Sequence, residues 1–302
     1  MSNKFISWTI FIMLCIIWGS SFKLMKDSTA LPASQIAALR IFSAGLVFVP
    51  FAVFHFRRVP RNRLGLVILS AVFGNLLPAF LFAAAITRLD ASLAGILNSL
   101  TPICVVVIGI FFFRQKISSQ KIIGVVTGFM GLVLLTVYPV LSGEKSIRLD
   151  NFSYTLLILL ATFLYGINVN LVSHYLKGVH PVYAATVSLA FMTLPAAGIL
   201  WQQGFLELDY SAPPIRQAIG SSILLGVAGS AIATALFYML VKRAGGLFAS
   251  LVTYGIPFIA LFWGFLDGES ITVTEILCLC IILLGVYIAN RPDRKLSESA
   301  KR

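Results

Sequence analysis

Inside the long apolar run at 33–54 stands one fixed charge, Arg40. Arginine in hydrocarbon is costly unless it faces protein or water, so it should point into a bundle. Its planar fork suits a carboxylate or a phosphate. Tying carbonyls and hydroxyls of neighbouring helices together, or snorkelling outward, would satisfy it as well, and the sequence leaves these readings open. Uncharged polar residues are placed around it with some regularity. Ser222, Gly226, Ser230, Thr234 and Tyr238 recur every four residues, along one side of a helix. Asn75, Asn98, Thr101, Tyr165, Asn168, Thr253 and Tyr254 fall within other apolar runs. Such groups do not face lipid cheaply; they line a wet cavity or hydrogen-bond between helices. The chemistry this set can do is binding.

The reverse inference comes from what is missing. No Asp or Glu lies deep in any apolar run, Asp90 and Asp267 being at run ends, and His55, His174 and His180 also fall at run ends. Cys15, Cys104, Cys278 and Cys280 all lie within runs, with neither zinc nor disulfide-framework spacing. An acid–base pair, a metal-ligand cluster or an activated nucleophile therefore has no candidates. No catalytic residue, no metal and no cofactor is expected. Proton antiport through a buried carboxylate is disfavoured for the same reason.

The elements that must position these residues are set by hydropathy. The chain has 302 residues, 59% hydrophobic and 11% charged, with mean hydropathy +0.95. A soluble domain of this length would need far more charge to cover its surface. Ten apolar runs stand at 5–22, 33–54, 64–86, 91–113, 122–140, 152–172, 182–201, 217–241, 247–266 and 276–289, near the length that crosses a bilayer core as helix. The reading is an all-α polytopic membrane protein, with the lipid bilayer as its surroundings. The first run follows Lys4 as a signal peptide would, but it is longer and lacks a small-residue cleavage site, so it is read as a span. The connections at 142–151 and 202–216 leave no room for an extramembrane catalytic domain.

The formal charge of +12 sorts by side rather than pointing to nucleic acid. With the N-terminus inside, 16 of the 23 basic residues fall on the inner side and 6 on the outer, Arg40 being the remainder. The positive-inside rule then puts both termini in the cytoplasm, and the expected location is the cell (inner) membrane. Asn151-Phe152-Ser153 matches a glycosylation sequon on the outer side. Gly124 and Gly128 give the fifth run a GxxxG face, read as packing within one monomer.

A repeat underlies the ten runs. Sliding the second half onto the first by 155 positions sets Gly65 on Gly220, Gly74 on Gly229, Arg88 on Arg243, Pro102 on Pro257 and Gly109 on Gly264. In this register Asn75 meets Ser230, and Asn98 and Thr101 meet Thr253 and Ile256. Repeat units at 5–140 and 152–290 with a tail at 291–302 are expected, and five spans per unit invert one unit against the other. Inverted repeats around a midplane site are a common architecture of secondary transporters. Pro102 and Pro257 each withhold a donor from the carbonyl one turn earlier, at matched depth, and are candidate hinges or ordinary kinks.

In Ile17-Trp18-Gly19-Ser20-Ser21-Phe22 a bulky aromatic sits beside three small residues, at nearly the depth of Arg40. The first two spans being sequence neighbours, Ser20 and Ser21 are expected to satisfy the guanidinium or loosen the local backbone, with Gly19 allowing close approach. Trp18 would stack on a substrate at the cavity's outer mouth or join the outer aromatic belt; Trp8, Trp201 and Trp263 stand near run ends and fit a belt position.

This stretch, with Ala38-Leu39-Arg40-Ile41-Phe42, Asn98-Ser99-Leu100-Thr101-Pro102, Ala249-Ser250-Leu251-Val252 ahead of Pro257, and Gly268-Glu269-Ser270-Ile271, resembles the EamA-type branch of the drug/metabolite transporter superfamily over nearly the whole chain. One departure is Lys116, where the first repeat of such proteins often carries Glu, as Glu269 does in the second. The resemblance implies ten helices in two inverted five-helix repeats, around a central cavity lined mainly by helices 1, 3, 4, 6, 8 and 9. It implies transport of a small-molecule substrate, since relatives export amino acids and other small metabolites. Others in the superfamily move nucleotide sugars, sugar phosphates or organic cations. The expectation is an exporter or uniporter of small polar metabolites, amino acids or derivatives first. Anionic sugar compounds are the nearest alternative, and a membrane-embedded enzyme or a non-transporting protein is the rival class.

Overall fold

The computed structural model describes residues 3–89, 94, 97, 98, 100–141, 152–266 and 273–290, and among these it contains helices and no strand. We number the helices by the apolar run each occupies: α1 (Asn3–Asp27), α2 (Ala33–Phe56), α3 (Arg61–Ile86), α4 (Thr101–Phe111) and α5 (Ser119–Leu141), then α6 (Phe152–Tyr175), α7 (Pro181–Gln202), α8 (Pro213–Ala244), α9 (Val252–Leu266) and α10 (Val273–Asn290). A short helix, Gly246–Ser250, leads into α9, and a 3-10 turn, Phe205–Glu207, lies in the connection after α7. The 142–151 loop with its Asn151 sequon, Ser99, Asp90, Asp267, the Glu269 motif and the 291–302 tail lie outside the described residues. Six helices, α1, α2, α3, α6, α7 and α8, are each long and apolar enough to cross a bilayer. With α4, α5, α9 and α10 they make ten transmembrane helices in two inverted five-helix repeats around a central cavity.

Helix limits follow local chemistry. Pro60 precedes α3, and Pro181 and Pro213 open α7 and α8, where a missing N–H costs nothing. At the other end of α8, Gly245 takes φ +88°, a turn that a Cβ would oppose, and reverses the chain into the short helix.

Packing obeys an exchange rule. Swapping the halves sends α1 to α6, α9 to α4, α8 to α3, α2 to α7 and α5 to α10. Under that swap the main contacts go over into one another: α1 on α9 becomes α6 on α4, α1 on α8 becomes α6 on α3, and α2 on α8 becomes α7 on α3. The two most extensive pairs, α2 with α7 and α5 with α10, map onto themselves. Lipid tails are as apolar as leucine, so helices associate through close contact between small residues. On the α2–α7 seam Ala37 and Ile41 share a buried cluster with Met192 and Ala196, and Gly45 rests on the Leu189 carbonyl. On the α5–α10 seam Gly285 meets the Gly128 backbone and Gly124 meets that of Ala289. The GxxxG face of α5 is thus covered by α10 of the same chain, with the Tyr254 ring of α9 over Gly128.

Two expectations change here. The first two spans are sequence neighbours, but α1 packs chiefly on α9 and α8, while α2 is taken by α7 and α8. Gly19 accordingly faces Ile259 and the Ile256 carbonyl of α9 rather than α2. The second change is a pair of distortions that no composition signal announced. The backbone of α3 widens to a π-helix at Val72–Leu76 and that of α8 at Val227–Ile232. Their first residues are separated by the repeat offset of 155. Widened turns of this kind occur mostly as single-turn inserts, often at functional sites.

Candidate functional site

Both π inserts border one cavity of about 110 Å³. Its walls come from α1, α2, α3, α6, α8, the short helix and α9, with Asn98 ahead of α4 and Thr101 at its start. The six helices that the resemblance implied are all present; α2 is added, and it brings Arg40.

The guanidinium is placed by a partner on the other half of the chain. Arg40 Nε donates to Ser230 Oγ at 2.8 Å. Ser230 is fully buried and sits in the α8 insert, so it lies behind the cavity wall and aims the charge. Gly226, one turn earlier, lets α8 ride on the Arg40 carbonyl and Ser43. The remaining donors of the fork are left to the cavity that Arg40 lines. No Asp or Glu lines this cavity among the described residues, and Arg40 is the only fixed charge on it. Tyr165 of α6 is its electrostatic neighbour. A charge held away from water costs roughly several kcal/mol unless it is compensated, so Arg40 calls for a counter-charge or water within the cavity.

The serines of α1 do not satisfy the guanidinium as expected. Ser21 lines the cavity, but its hydroxyl donates back to the Ile17 carbonyl at 2.9 Å. Ser20 lies outside the lining and accepts from Trp263 Nε1 at 2.9 Å, which ties α1 to α9. The physical reason is the partnering of α1 with α9. Trp263 is therefore an interhelical tie, its ring capped by Lys23 Nζ at 5.7 Å, rather than a free member of the aromatic belt. Trp18 turns inward: Nε1 donates to the Gly229 carbonyl inside the α8 insert at 3.0 Å, and the ring lines the cavity 5.4 Å from Phe237.

The four-residue stripe on α8 divides its work. Ser222 donates to Ser28 Oγ at 3.0 Å, a tie at one end. Thr234 donates to Asn75 Oδ1 at 3.0 Å and Tyr238 donates to Ser70 Oγ at 3.0 Å, both crossing to α3. Asn75, Thr234 and Tyr238 also line the cavity, so the stripe is at once wall and seam. Asn168 lines it from α6, with its amide against Gly74 and its buried Oδ1 without a hydrogen-bond partner.

Asn98, Thr101, Tyr165 and Thr253 reach the cavity as well. Thr101 Oγ1 donates to the Asn98 carbonyl at 2.5 Å, the carbonyl that Pro102 deprives of its usual donor. The bend is thus capped by its own hydroxyl, and that carbonyl is not left open for substrate. Pro102 and Pro257 are both outside the lining, Pro257 within α9. Tyr254 is also outside: its hydroxyl donates to the Val125 carbonyl of α5 at 2.9 Å, so it is a structural bolt rather than a wall.

Sequence reasoning passed over the apolar wall, Phe22, Met25, Phe82, Phe237 and Ile256, and the small residues Gly74, Gly229 and Ser250. The matched pair Gly74 and Gly229 carried a signal, since both stand in the repeat register and each falls in an insert. The apolar residues carried none, because a phenylalanine in a span reads the same toward lipid or cavity.

Known proteins extend this picture. The sequence profile of the EamA-like transporter family matches residues 6–137 and again 152–291. A WAT1-related chloroplastic protein of Arabidopsis thaliana is 25% identical over 96% of this chain and 71% of its own length. An uncharacterized transporter of Archaeoglobus fulgidus is 23% identical over 94% of this chain and 98% of its own. The uncharacterized inner membrane transporter YicL of Salmonella typhimurium is 22% identical over 96% of each. A crystal structure at 17% identity superposes with a TM-score of 0.72 over 98% of this chain and 99% of that one, which shows the fold. Matched in both halves, the chain belongs to the EamA-like transporter family and is a multi-pass membrane transporter.

Proposed function

We propose that this transporter is an exporter or uniporter for amino acids or close derivatives, working by alternating exposure of the central cavity as two inverted repeats rock against each other. The observation that carries the reading is Arg40, a guanidinium aimed by Ser230 and left without a carboxylate among the described residues of the cavity lining. A substrate carboxylate supplies the missing counter-charge. Amide and hydroxyl groups of Asn75, Asn98, Thr101, Thr234 and Thr253 surround it, while Trp18, Phe22, Phe82 and Phe237 offer an apolar wall to a side chain. The same cation argues against organic cations, and one cation with apolar walls suits an amino acid better than a polyhydroxylated phosphate.

The repeat units take 5–140 and 152–290, with the 291–302 tail and both termini on the cytoplasmic side of the cell membrane. The basic-residue asymmetry supports that orientation, and the inner-membrane relative supports the location. The reading gives the chain no catalytic role, treats it as a monomer in the bilayer with no nucleic-acid partner, and requires no cofactor or metal. Counterflow in proteoliposomes tests it: unlabelled amino acids are loaded inside and labelled ones followed from outside, with and without a pH gradient. Accumulation without the gradient is the expected result. Absence of counterflow for every amino acid, alongside counterflow of sugar phosphates by the same folded protein, would overturn it.

A further inference from the structure

Two cavities share one side chain. Tyr238 lines the central cavity and also a second pocket of about 330 Å³, at the end of the bundle where α6 and α8 finish. That pocket carries two exposed lysines, Lys177 and Lys242, over a wall of aliphatic residues such as Val172 and Val241, and no Asp or Glu lines it among the described residues. The ring between the two spaces is 2% exposed. It is held by neutral hydrogen bonds: the Tyr238 hydroxyl donates to Ser70 Oγ at 3.0 Å, and Ser70 donates to the Val67 carbonyl at 2.7 Å. The Asn168 side chain adjoins the same hydroxyl, and its Oδ1 is buried without a partner. The segment of α8 that carries the ring is bounded by the π insert Val227–Ile232 on one side and by Gly245, with φ +88°, on the other.

We propose that the lysine-ringed pocket is a vestibule that takes the carboxylate end of the substrate, and that the Tyr238 ring is the partition between this vestibule and Arg40. The proposal rests on the reading of Arg40 as the carboxylate's partner. A carboxylate released from Lys177 and Lys242 then meets Arg40 as its next cation, with one aromatic ring in the way. Turning that ring aside gives up only neutral contacts, to Ser70 and to the Asn168 side chain, and the unpartnered Asn168 Oδ1 offers the displaced hydroxyl an acceptor. The irregular backbone on either side lets a short piece of α8 move without dragging the whole helix.

The test uses the full chain with Cys15, Cys104, Cys278 and Cys280 replaced and Thr234→Cys as a reporter inside the central cavity. Sealed vesicles of either orientation are treated with membrane-impermeant thiol reagents bearing a sulfonate or a quaternary ammonium. From the lysine-rich face, Tyr238→Ala should raise the labelling rate above that of the parent, while the rate from the opposite face stays unchanged and certifies the fold. Tyr238→Phe should raise it less, and it serves if the alanine variant fails to fold. In Tyr238→Ala, the preference for the sulfonate reagent from the lysine-rich face should fall when Lys177→Gln and Lys242→Gln are added. Equal labelling of the parent and both Tyr238 variants from that face overturns the partition. An unchanged reagent preference without the lysines overturns the vestibule. Neither readout needs a substrate, so both stand apart from the fate of Arg40 in carboxylate counterflow.

Discussion

Thr234 donates to Asn75 across the midline of the molecule at 3.0 Å, and each residue belongs to a helix that widens at the same register of its repeat. Asn75 has Ser230 as its repeat counterpart, and Ser230 is the residue that holds Arg40. Each insert is therefore tied at the cavity, one through the Asn75 amide to Thr234 and the other through Ser230 to the Arg40 guanidinium. Hydrogen bonds between transmembrane helices are worth about 0.6 kcal/mol on average and about 1.7 at most. Thr234→Val, which keeps the shape and removes the donor, should lower stability by an amount in that range. Asn75→Ala in the Thr234→Val background should then add less than it costs alone. Thermal denaturation in detergent, run as a double-mutant cycle, checks the coupling.

Arg40 separates binding from structure in a measurable way. If the guanidinium holds a carboxylate, Arg40→Lys keeps the charge but loses the fork, and the bond from Nε to Ser230 with it. Hydrogen bonds to charged groups are worth about 1.5–3 kcal/mol, so substrate affinity should drop roughly 10- to 100-fold. The loss of melting stability should be smaller. Equal loss of both would make Arg40 a structural tie only. Counterflow of labelled amino acids set beside detergent melting curves distinguishes the two.

How far the site could be read from sequence depends on what each residue had to beat. Arg40, Asn75, Asn98, Tyr165 and Asn168 were legible because a polar group in an apolar run has few cheap places to go, and all five line the cavity. Ser20 and Tyr254 obeyed the same rule by the other route, spending their hydroxyls on Trp263 and on the Val125 carbonyl. Residue type does not distinguish these outcomes; helix neighbours do. The neighbours of α1 were not legible, since sequence adjacency to α2 was overruled by a Gly19 surface that fits α9. The repeat register was legible in Gly74 and Gly229, but the widened turns around them were not, because a π insert is a backbone event with no fixed composition.

Cysteine substitution resolves wall from backing on α8. Thr234 lines the cavity, whereas Ser230 is fully buried behind it with its hydroxyl on Arg40. In a background without native cysteines, Thr234→Cys should react with hydrophilic thiol reagents and be protected by a transported amino acid. Ser230→Cys should react far more slowly. Reaction at Ser230→Cys with silence at Thr234→Cys would reverse the assigned faces of α8. Mass spectrometry of the labelled protein gives the comparison directly.

Glycine substitutions separate close approach from mere smallness. A Cβ on Gly285 would collide with the Gly128 backbone and come within 2.7 Å of the Gly124 carbonyl. Backbone atoms do not swing aside as a side-chain tip can, so α5 and α10 would have to part, and Gly285→Ala should cost about 1–3 kcal/mol. The matched glycines Gly65 and Gly220 offer the control, for a Cβ at either meets nothing within 4 Å. Both stand inside helices, where glycine is about 1 kcal/mol worse than alanine, so Gly65→Ala and Gly220→Ala should leave the melting temperature unchanged or raise it. If all three variants melted alike, the α5–α10 seam would not depend on backbone contact at Gly128. A drop confined to Gly285→Ala would establish that the fifth and tenth helices, the pair that maps onto itself when the repeats are exchanged, hold together through glycine rather than through side-chain bulk.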